Sequence, residues 1–353
     1  MIIKIKKYKQ EIDMKRRNFL ILLILLSFST GILNATVRRV NNLAGTGAGY
    51  TTLQSAHDAA NPGDTLMVEP GKPYRQLVLT KRLVILGPGY FLGQNDDSQA
   101  GLFSAQVDSL TFNAGSGQTL VSGLHIKDKI FINTSLITLE SNLIMFSTSY
   151  SYLINIAAEL SGIVIKKNFI ENTESIYAGV LNIGGGTSII LSNNYISSGH
   201  TNSSYSLIKT LASTQPTLAN NNIRGYLELY TGATVKNNIW MSDGIGGTFS
   251  TSSSSYNITE NGTLTGVTDI TAADIDAVFV GSGSTDGKWQ LSEGSEGEGA
   301  GEGGTDCGMF GGTDPYILSG INQSLPRIYY LSSSGQGTAT SGLQVHIKAK
   351  AAE

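Results

Sequence analysis

Down the middle of the chain an asparagine is followed one or two places later by an isoleucine. The phrase returns as Asn142-Leu143-Ile144, Asn168-Phe169-Ile170, Asn194-Tyr195-Ile196, Asn222-Ile223 and Asn238-Ile239, with Gly123-Leu124-His125-Ile126 as an earlier copy. From isoleucine to isoleucine the steps are 18, 26, 26, 27 and 16 residues. That is too long for a hairpin and suits one turn of a stacked coil, so the period predicts a solenoid. Within one repeat, Gly162-Ile163-Val164-Ile165-Lys166-Lys167-Asn168-Phe169-Ile170, Ile163 and Ile165 alternate with Val164, and a bend must follow before Ile170 points inward again. Asparagine tolerates the left-handed backbone of such a corner. Stacked corners would set Asn168, Asn194, Asn222 and Asn238 in a column about 4.8 Å apart, bonded amide to amide. Glycine-rich joints such as Gly184-Gly185-Gly186 read as loops between coils, and residues 243–270 as a looser section.

Ahead of the repeat, Tyr50 to Asp64 predicts one short helix. Thr51 and Gln54 have capping-box spacing, Leu53, Ala56 and Ala60 share a face, and Asn61-Pro62-Gly63 stops it. The strands Thr65–Val68, Leu77–Leu79 and Leu83–Leu86 follow. A helix before a run of strands suits a cap over an open sheet end. Beyond Gly312, Pro326–Leu331 and Gly342–Lys350 read as two strands. In the second, Leu343, Val345 and Ile347 alternate with Gln344, His346 and Lys348. Two strands with one apolar face make a poor independent domain, so docking on the solenoid or pairing with another chain is expected.

Two segments carry a resemblance. Tyr50–Ala60, Pro62-Gly63-Asp64-Thr65, Val68-Glu69-Pro70-Gly71, Tyr74 and Lys81–Gly89 resemble the opening of right-handed parallel β-helix proteins of the pectin-lyase-like superfamily. Asp286–Leu291, Gly299-Ala300-Gly301 and Gly304–Gly311 resemble their final coil, and the tail is similar to the ending of some exported bacterial members. With the repeat between them the likeness spans about residues 37–312. It implies an all-β, right-handed parallel β-helix with an N-terminal capping helix and a short C-terminal two-strand segment. It implies no single activity, because the superfamily includes lyases, hydrolases, esterases and adhesins.

Composition changes the picture at the ends. Lys15-Arg16-Arg17 precede the apolar run Phe19–Leu26, which reads as a secretory signal peptide cleaved near Ala35 and too short to span a bilayer. The expected organisation is a signal peptide at 1–35, a β-helix at 36–312 and a β tail at 313–353, in a secreted or cell-surface protein. Without residues 1–35, 17 Lys/Arg face 25 Asp/Glu, a net charge of −8 that disfavours nucleic acid. Cys307 is the single cysteine, so no internal disulfide can form. The 42 glycines against 7 prolines fit many short strands with frequent turns.

Chemistry is sparse. A glycosidase needs two carboxylates about 5–9.5 Å apart, and a β-helix lyase needs grouped acids for calcium with a basic residue to abstract a proton. Between residues 101 and 243 the acids are scattered, and Asp96-Asp97 is the one acidic pair in the front half. By composition Glu293–Gly299 reads as an acidic flexible linker or, more remotely, a calcium loop, and the resemblance to the last β-helix coil implies a loop within the domain. His57, His125, His200 and His346 have no metal-ligand spacing, and no cofactor or phosphate motif appears. Aligning the coils by isoleucine puts Lys127, Met145, Glu171, Ser197, Arg224 and Trp240 in one column. Glu171, Arg224 and Trp240 are therefore the candidate ligand-binding residues, with about 10 Å between the first two, a gap a sugar could bridge. Tyrosines 150, 152, 177, 195, 205, 226 and 230 form the aromatic series that could stack on sugars. The expectation is a non-catalytic exported β-helix that offers a surface to a polysaccharide. The alternative is a polysaccharide lyase or glycoside hydrolase whose residues lie on loops.

Overall fold

The computed structural model describes residues 14–18, 35–147, 151–174, 179–199, 205–211, 214–230, 232–241, 245–246, 253–260, 262, 264, 266–340 and 342–352. It forms two compact units, Met1–Thr36 and Val37–Glu353. The expected signal segment lies almost wholly outside the described residues. Among the described residues, no helix is long and apolar enough to cross a membrane.

Three long sheets build the second unit, and every strand pair within them is parallel. Sheet A has ten strands, from Val37–Val40 to Ser254–Ser255; sheet B has nine, from Gln106–Val107 to Ile270–Thr271; sheet C has eight, from Leu77–Leu79 to Ile245–Gly246. One coil runs through Leu160–Lys166 of sheet A, Phe169–Asn172 of sheet B and Leu181–Ile183 of sheet C. The next continues at Gly186–Ser192, in register with the first. Each coil is a crossover between neighbouring parallel strands, for which the right-handed sense is the rule. The fold is a parallel β-helix, as expected. Its core is the inward row of each sheet: Ile163, Ile165, Ile189 and Leu191 from A, Ile170 and Ile196 from B, Ile154, Ile156, Leu181 and Ile183 from C, all fully or almost fully buried. Where the section 243–270 is described, Ser254–Ser255, Ile258–Thr259 and Ile270–Thr271 extend sheets A and B.

The capping helix spans Leu53–Ala59, and its cap is Thr52 rather than Thr51. Thr52 Oγ1 accepts from Ser55 N–H at 3.1 Å. His57 is buried and satisfied: its Nε2 accepts from Thr80 N–H at 3.1 Å and its Nδ1 lies 2.8 Å from Asp58 Oδ1. Gln54 Oε1 accepts from Val78 N–H, so two helix side chains hold the first coil's strand. Gly184 and Gly185 join Leu181–Ile183 of sheet C to Gly186–Ser192 of sheet A in the next coil, a joint between coils as expected, though a short one. Gly186 is required there, because a Cβ would lie 1.9 Å from Leu160 O.

The asparagine column exists, with two corrections. Its members are Asn142, Asn168, Asn194, Asn221, Asn238 and Asn257, so Asn222 does not belong to it. Each Nδ2 donates to the next Oδ1 at 2.9–3.1 Å, and each backbone N–H donates to the same oxygen. Each Nδ2 also reaches a strand carbonyl of sheet A in the coil before, as Asn194 does with Ile165 O at 2.8 Å. The column ends on Asp269, whose Oδ1 accepts both Asn257 donors. The left-handed corner belongs to the residue before each ladder asparagine: Ser141, Lys167, Asn193, Asn220, Asn237 and Tyr256 have φ of 54–57°. A ladder side chain must turn into the coil to meet both neighbours, and the corner residue turns the backbone ahead of it.

Residues 272–321 are not a final coil, although Asp286–Gly311 resembles one. They run back along the A/B corner as a strap, from the last coils toward the first. Glu302 N–H donates to Asn237 Oδ1, Met309 N–H to Asn222 Oδ1, and Asn193 Nδ2 to the carbonyls of Met309 and Gly311. Farther along, Asp314 pairs with Lys166 and Lys167, and Tyr316 meets Tyr90, hydroxyl to hydroxyl, at 2.9 Å. Asp286 is fully buried and accepts from Asn95 Nδ2, Tyr316 OH and Ser319 N–H. Beneath the strap lie Leu143, Phe169, Tyr195, Ile239 and Ile258, outward neighbours of the ladder that form a second core with Phe279, Met309 and Tyr316. The strap delivers the C-terminal hairpin, Arg327–Ser333 paired antiparallel with Val345–Lys350, to the end of the solenoid where the chain enters.

Candidate binding faces

The residues singled out from sequence divide. Glu171, Ser197 and Arg224 do share one outward column of sheet B, on successive strands. Trp240 does not. It pairs with Ile223, points inward, and is buried with its Nε1 donating to Gly225 O at 2.9 Å. Alignment on Ile239 was one residue out, since Ile239 pairs with Asn222 and Trp240 with Ile223, and in a strand one residue exchanges the two faces. Met241 takes the column position expected for Trp240.

The strap supplies what the sequence did not announce at this column. Trp289 stacks on Tyr195 at 4.7 Å between centroids, and Lys288 Nζ lies 5.1 Å from the Trp289 ring centre. Burial raises the Glu171 pKa, while Lys288 and Arg224 act against the rise. Burial also pushes the Tyr195 phenol up to about 12. The column thus gathers one half-buried carboxylate, two cations and a phenol. The nearest carboxylate in register along it is Asp108, three strands from Glu171 and so about 14 Å away. That is too far for the paired carboxylates of glycoside hydrolysis.

A second outward column, on sheet C, carries more. In register across successive strands stand Phe131, Asn155, Asn182, Lys209 and Glu228, a line about 19 Å long. Phe131 is exposed and the other four are half-exposed. Asn155 uses Nδ2 on Tyr152 O at 3.2 Å, and Asn182 makes no hydrogen bond among the described residues. Along one side the rings of Tyr152 and Tyr205 stack at 5.2 Å with 24° between their planes. Gly179 makes this possible: a Cβ there would lie 2.4 Å from Tyr152 Cδ1. At the far end Glu228 accepts from Ser206 Oγ at 3.0 Å and Tyr230 OH at 3.1 Å, and faces Lys209 Nζ at 3.8 Å.

The tyrosine series therefore has two fates. Tyr195 fills the strap's core, whereas Tyr152, Tyr205 and Tyr230 border sheet C. Tyr150 and Tyr177 fall outside the described residues. The signal that marks sheet C in the sequence is Asn155 and Asn182 standing at the polar position between two inward aliphatics, as in Leu181-Asn182-Ile183, with Lys209 between inward Ile208 and Thr210. Among the described residues no group of three or more His, Cys, Asp or Glu could hold a metal ion.

No family model matches the chain, and the search of curated proteins finds no match. Among solved structures the chain is similar to the crystal structure of pectate lyase Pel9A, at 13% identity over 78% of this chain and 97% of that one, with a TM-score of 0.40. The parallel β-helix itself rests on the strand registers.

Proposed function

We propose that this is an exported β-helix protein that binds an extended glycan along the outer face of sheet C without transforming it. The observation that carries the reading is the Tyr152–Tyr205 stack laid over Gly179 beside Asn155 and Asn182. Flat aromatic rings suit the apolar faces of sugars, and unspent amides suit their hydroxyls. The row continues over several strands, so it fits a chain better than a single small molecule. Glu228 supports binding over chemistry, because two hydroxyls already donate to its oxygens and Lys209 faces it at 3.8 Å. Along its column Glu171 meets no second carboxylate within the distance that glycoside hydrolysis requires.

The test is titration calorimetry of the protein against neutral and acidic polysaccharides, with an assay for new reducing ends and unsaturated products alongside. Binding without products is expected, with affinity reduced about tenfold by Tyr152→Ala through the lost stacking surface. Products formed by the unaltered protein would overturn the non-catalytic reading, and unchanged affinity in Tyr152→Ala would move the site off sheet C.

A further inference from the structure

The C-terminal hairpin separates its side chains by chemistry. Leu331 stands opposite Ile347, Ser333 opposite Val345, and Ile328 opposite Ala349. On the other face Arg327 stands opposite Lys350, Tyr330 opposite Lys348 and Ser332 opposite His346. The Tyr330 ring meets His346 edge-on at 5.4 Å and carries Lys348 Nζ at 5.3 Å, which places these side chains together. Strict alternation along Arg327–Ser333 would divide Ile328 from Leu331. The register shift between Ile328 and Tyr330 brings them to one face.

The apolar face is uncovered. Ile328 is 47% exposed, Leu331 58%, Val345 50% and Ile347 53%. The hairpin meets the solenoid at its base, where Ala100 N–H donates to Ile328 O at 2.9 Å. A two-stranded hairpin is marginal in water, and an apolar row of this kind marks a surface made to be covered.

Charge says by what. From Pro315 to Ala352 there is no acidic residue, in a chain that is otherwise net acidic. At the hairpin's base, Arg327 Nε and Nη1 are buried without a hydrogen-bond partner. Arg327 lines a cleft there with Met67, Glu69, Pro70, Pro88 and Pro326, so this guanidinium faces the solenoid rather than the open surface. Apolar surface backed by cations and a tyrosine is the chemistry of an interfacial anchor on anionic lipid.

We propose that the hairpin docks the protein on an anionic lipid surface, lying in the interface with Ile328, Leu331, Val345 and Ile347 toward the acyl boundary while Lys348 and Lys350 take headgroup phosphates. This stands independently of glycan binding on sheet C. It is tested by co-sedimenting Val37–Glu353, the unit that contains both cores, with vesicles of phosphatidylcholine alone or mixed with phosphatidylglycerol. The protein should pellet with the mixed vesicles, less at high salt, and unaffected by free inorganic phosphate at matched ionic strength. Leu331→Asp with Ile347→Asp should reduce partitioning at least tenfold, and Lys348→Glu with Lys350→Glu by about tenfold, both without change in Tm. No pelleting, equal pelleting of the variants, competition by free phosphate, or a solution dimer that the same substitutions abolish would overturn the proposal. The last result would assign the face to a second copy of the chain.

Discussion

Asn194 and Asn182 are the same residue type about half a coil apart, and the fold uses them in opposite ways. Asn194 is fully buried and spends every polar group: it accepts from Asn168 N and Nδ2 and donates to Ile165 O and Asn221 Oδ1. Asn182 is half-exposed on sheet C and makes no hydrogen bond among the described residues. What differs is the backbone. A left-handed residue ahead of Asn194 turns its amide into the coil, whereas Asn182 sits in plain strand geometry and points out. An asparagine that the fold consumes is structural, and one that it leaves unspent is available to a ligand.

The largest break in that comparison comes from the ladder's middle. Asn194→Ala strips Asn168 N–H and Ile165 O of buried partners and should cost about 3 kcal/mol, read as a lower urea midpoint at unchanged m-value. A loss below about 1 kcal/mol would mean that the ladder is ornament. The ladder's end is a milder cut. Asp269 accepts from Asn257 N and Nδ2 with one oxygen and from Gly266 N and Ser254 with the other. Asp269→Asn replaces one acceptor with a donor facing donors, so a cost of about 2 kcal/mol is expected by the same measurement.

The ladder was legible because its spacing recurs, and its failure point is instructive. Asn220-Asn221-Asn222-Ile223 offers three asparagines, and counting from isoleucine selects the one nearest it. The next rung, Asn238-Ile239-Trp240, has tryptophan where other rungs have isoleucine inside, so alignment on isoleucine carried Trp240 outward. The strap had a signal that went unread. Leu143, Phe169 and Tyr195 stand between a ladder asparagine and an inward isoleucine, on the face that alternation assigns to solvent. Large apolar residues at such a position, rung after rung, require a cover. The identity of the cover could not be read, because residues 272–321 make their contacts with coils 50 to 230 positions earlier. On sheet C the residues were visible as polar alternation, but Tyr152 reaching over Gly179 to Tyr205 depends on loop lengths that no period supplies.

Acid separates the covered corner from the open face. His125 belongs to the covered outward row of sheet B, in register with Leu143, and burial, with Lys127 adding to it, pushes its imidazole down to about 4. The unfolded chain protonates this group near its ordinary value of about 6.5 and therefore binds the extra proton between the two. Its contribution is fully present above about pH 6.5 and is lost as pH falls toward 4, by about 1–2 kcal/mol. Burial works to raise the Asp314 carboxyl, but its bonds to Lys167 and Lys166 outweigh that and hold it below its ordinary value. Stability from Asp314 therefore disappears only at lower pH. Urea titrations across this range should slope downward with acidification in the unaltered protein and flatten in His125→Gln; equal slopes would place the imidazole in water.

The smallest effect on stability should be the most informative about function. Asn182→Ala removes an amide with no partner to orphan, so unfolding should move by no more than about 0.5 kcal/mol. Its inward neighbours Leu181 and Ile183 keep the strand in place. If sheet C is the binding face, the same substitution removes a donor and an acceptor from a sugar's hydroxyls and should weaken glycan affinity about fivefold. Calorimetric affinity beside the unfolding curve of one variant therefore separates the two kinds of asparagine. Stability lost with affinity intact would return Asn182 to the scaffold, whereas affinity lost at constant stability would set it apart from Asn194.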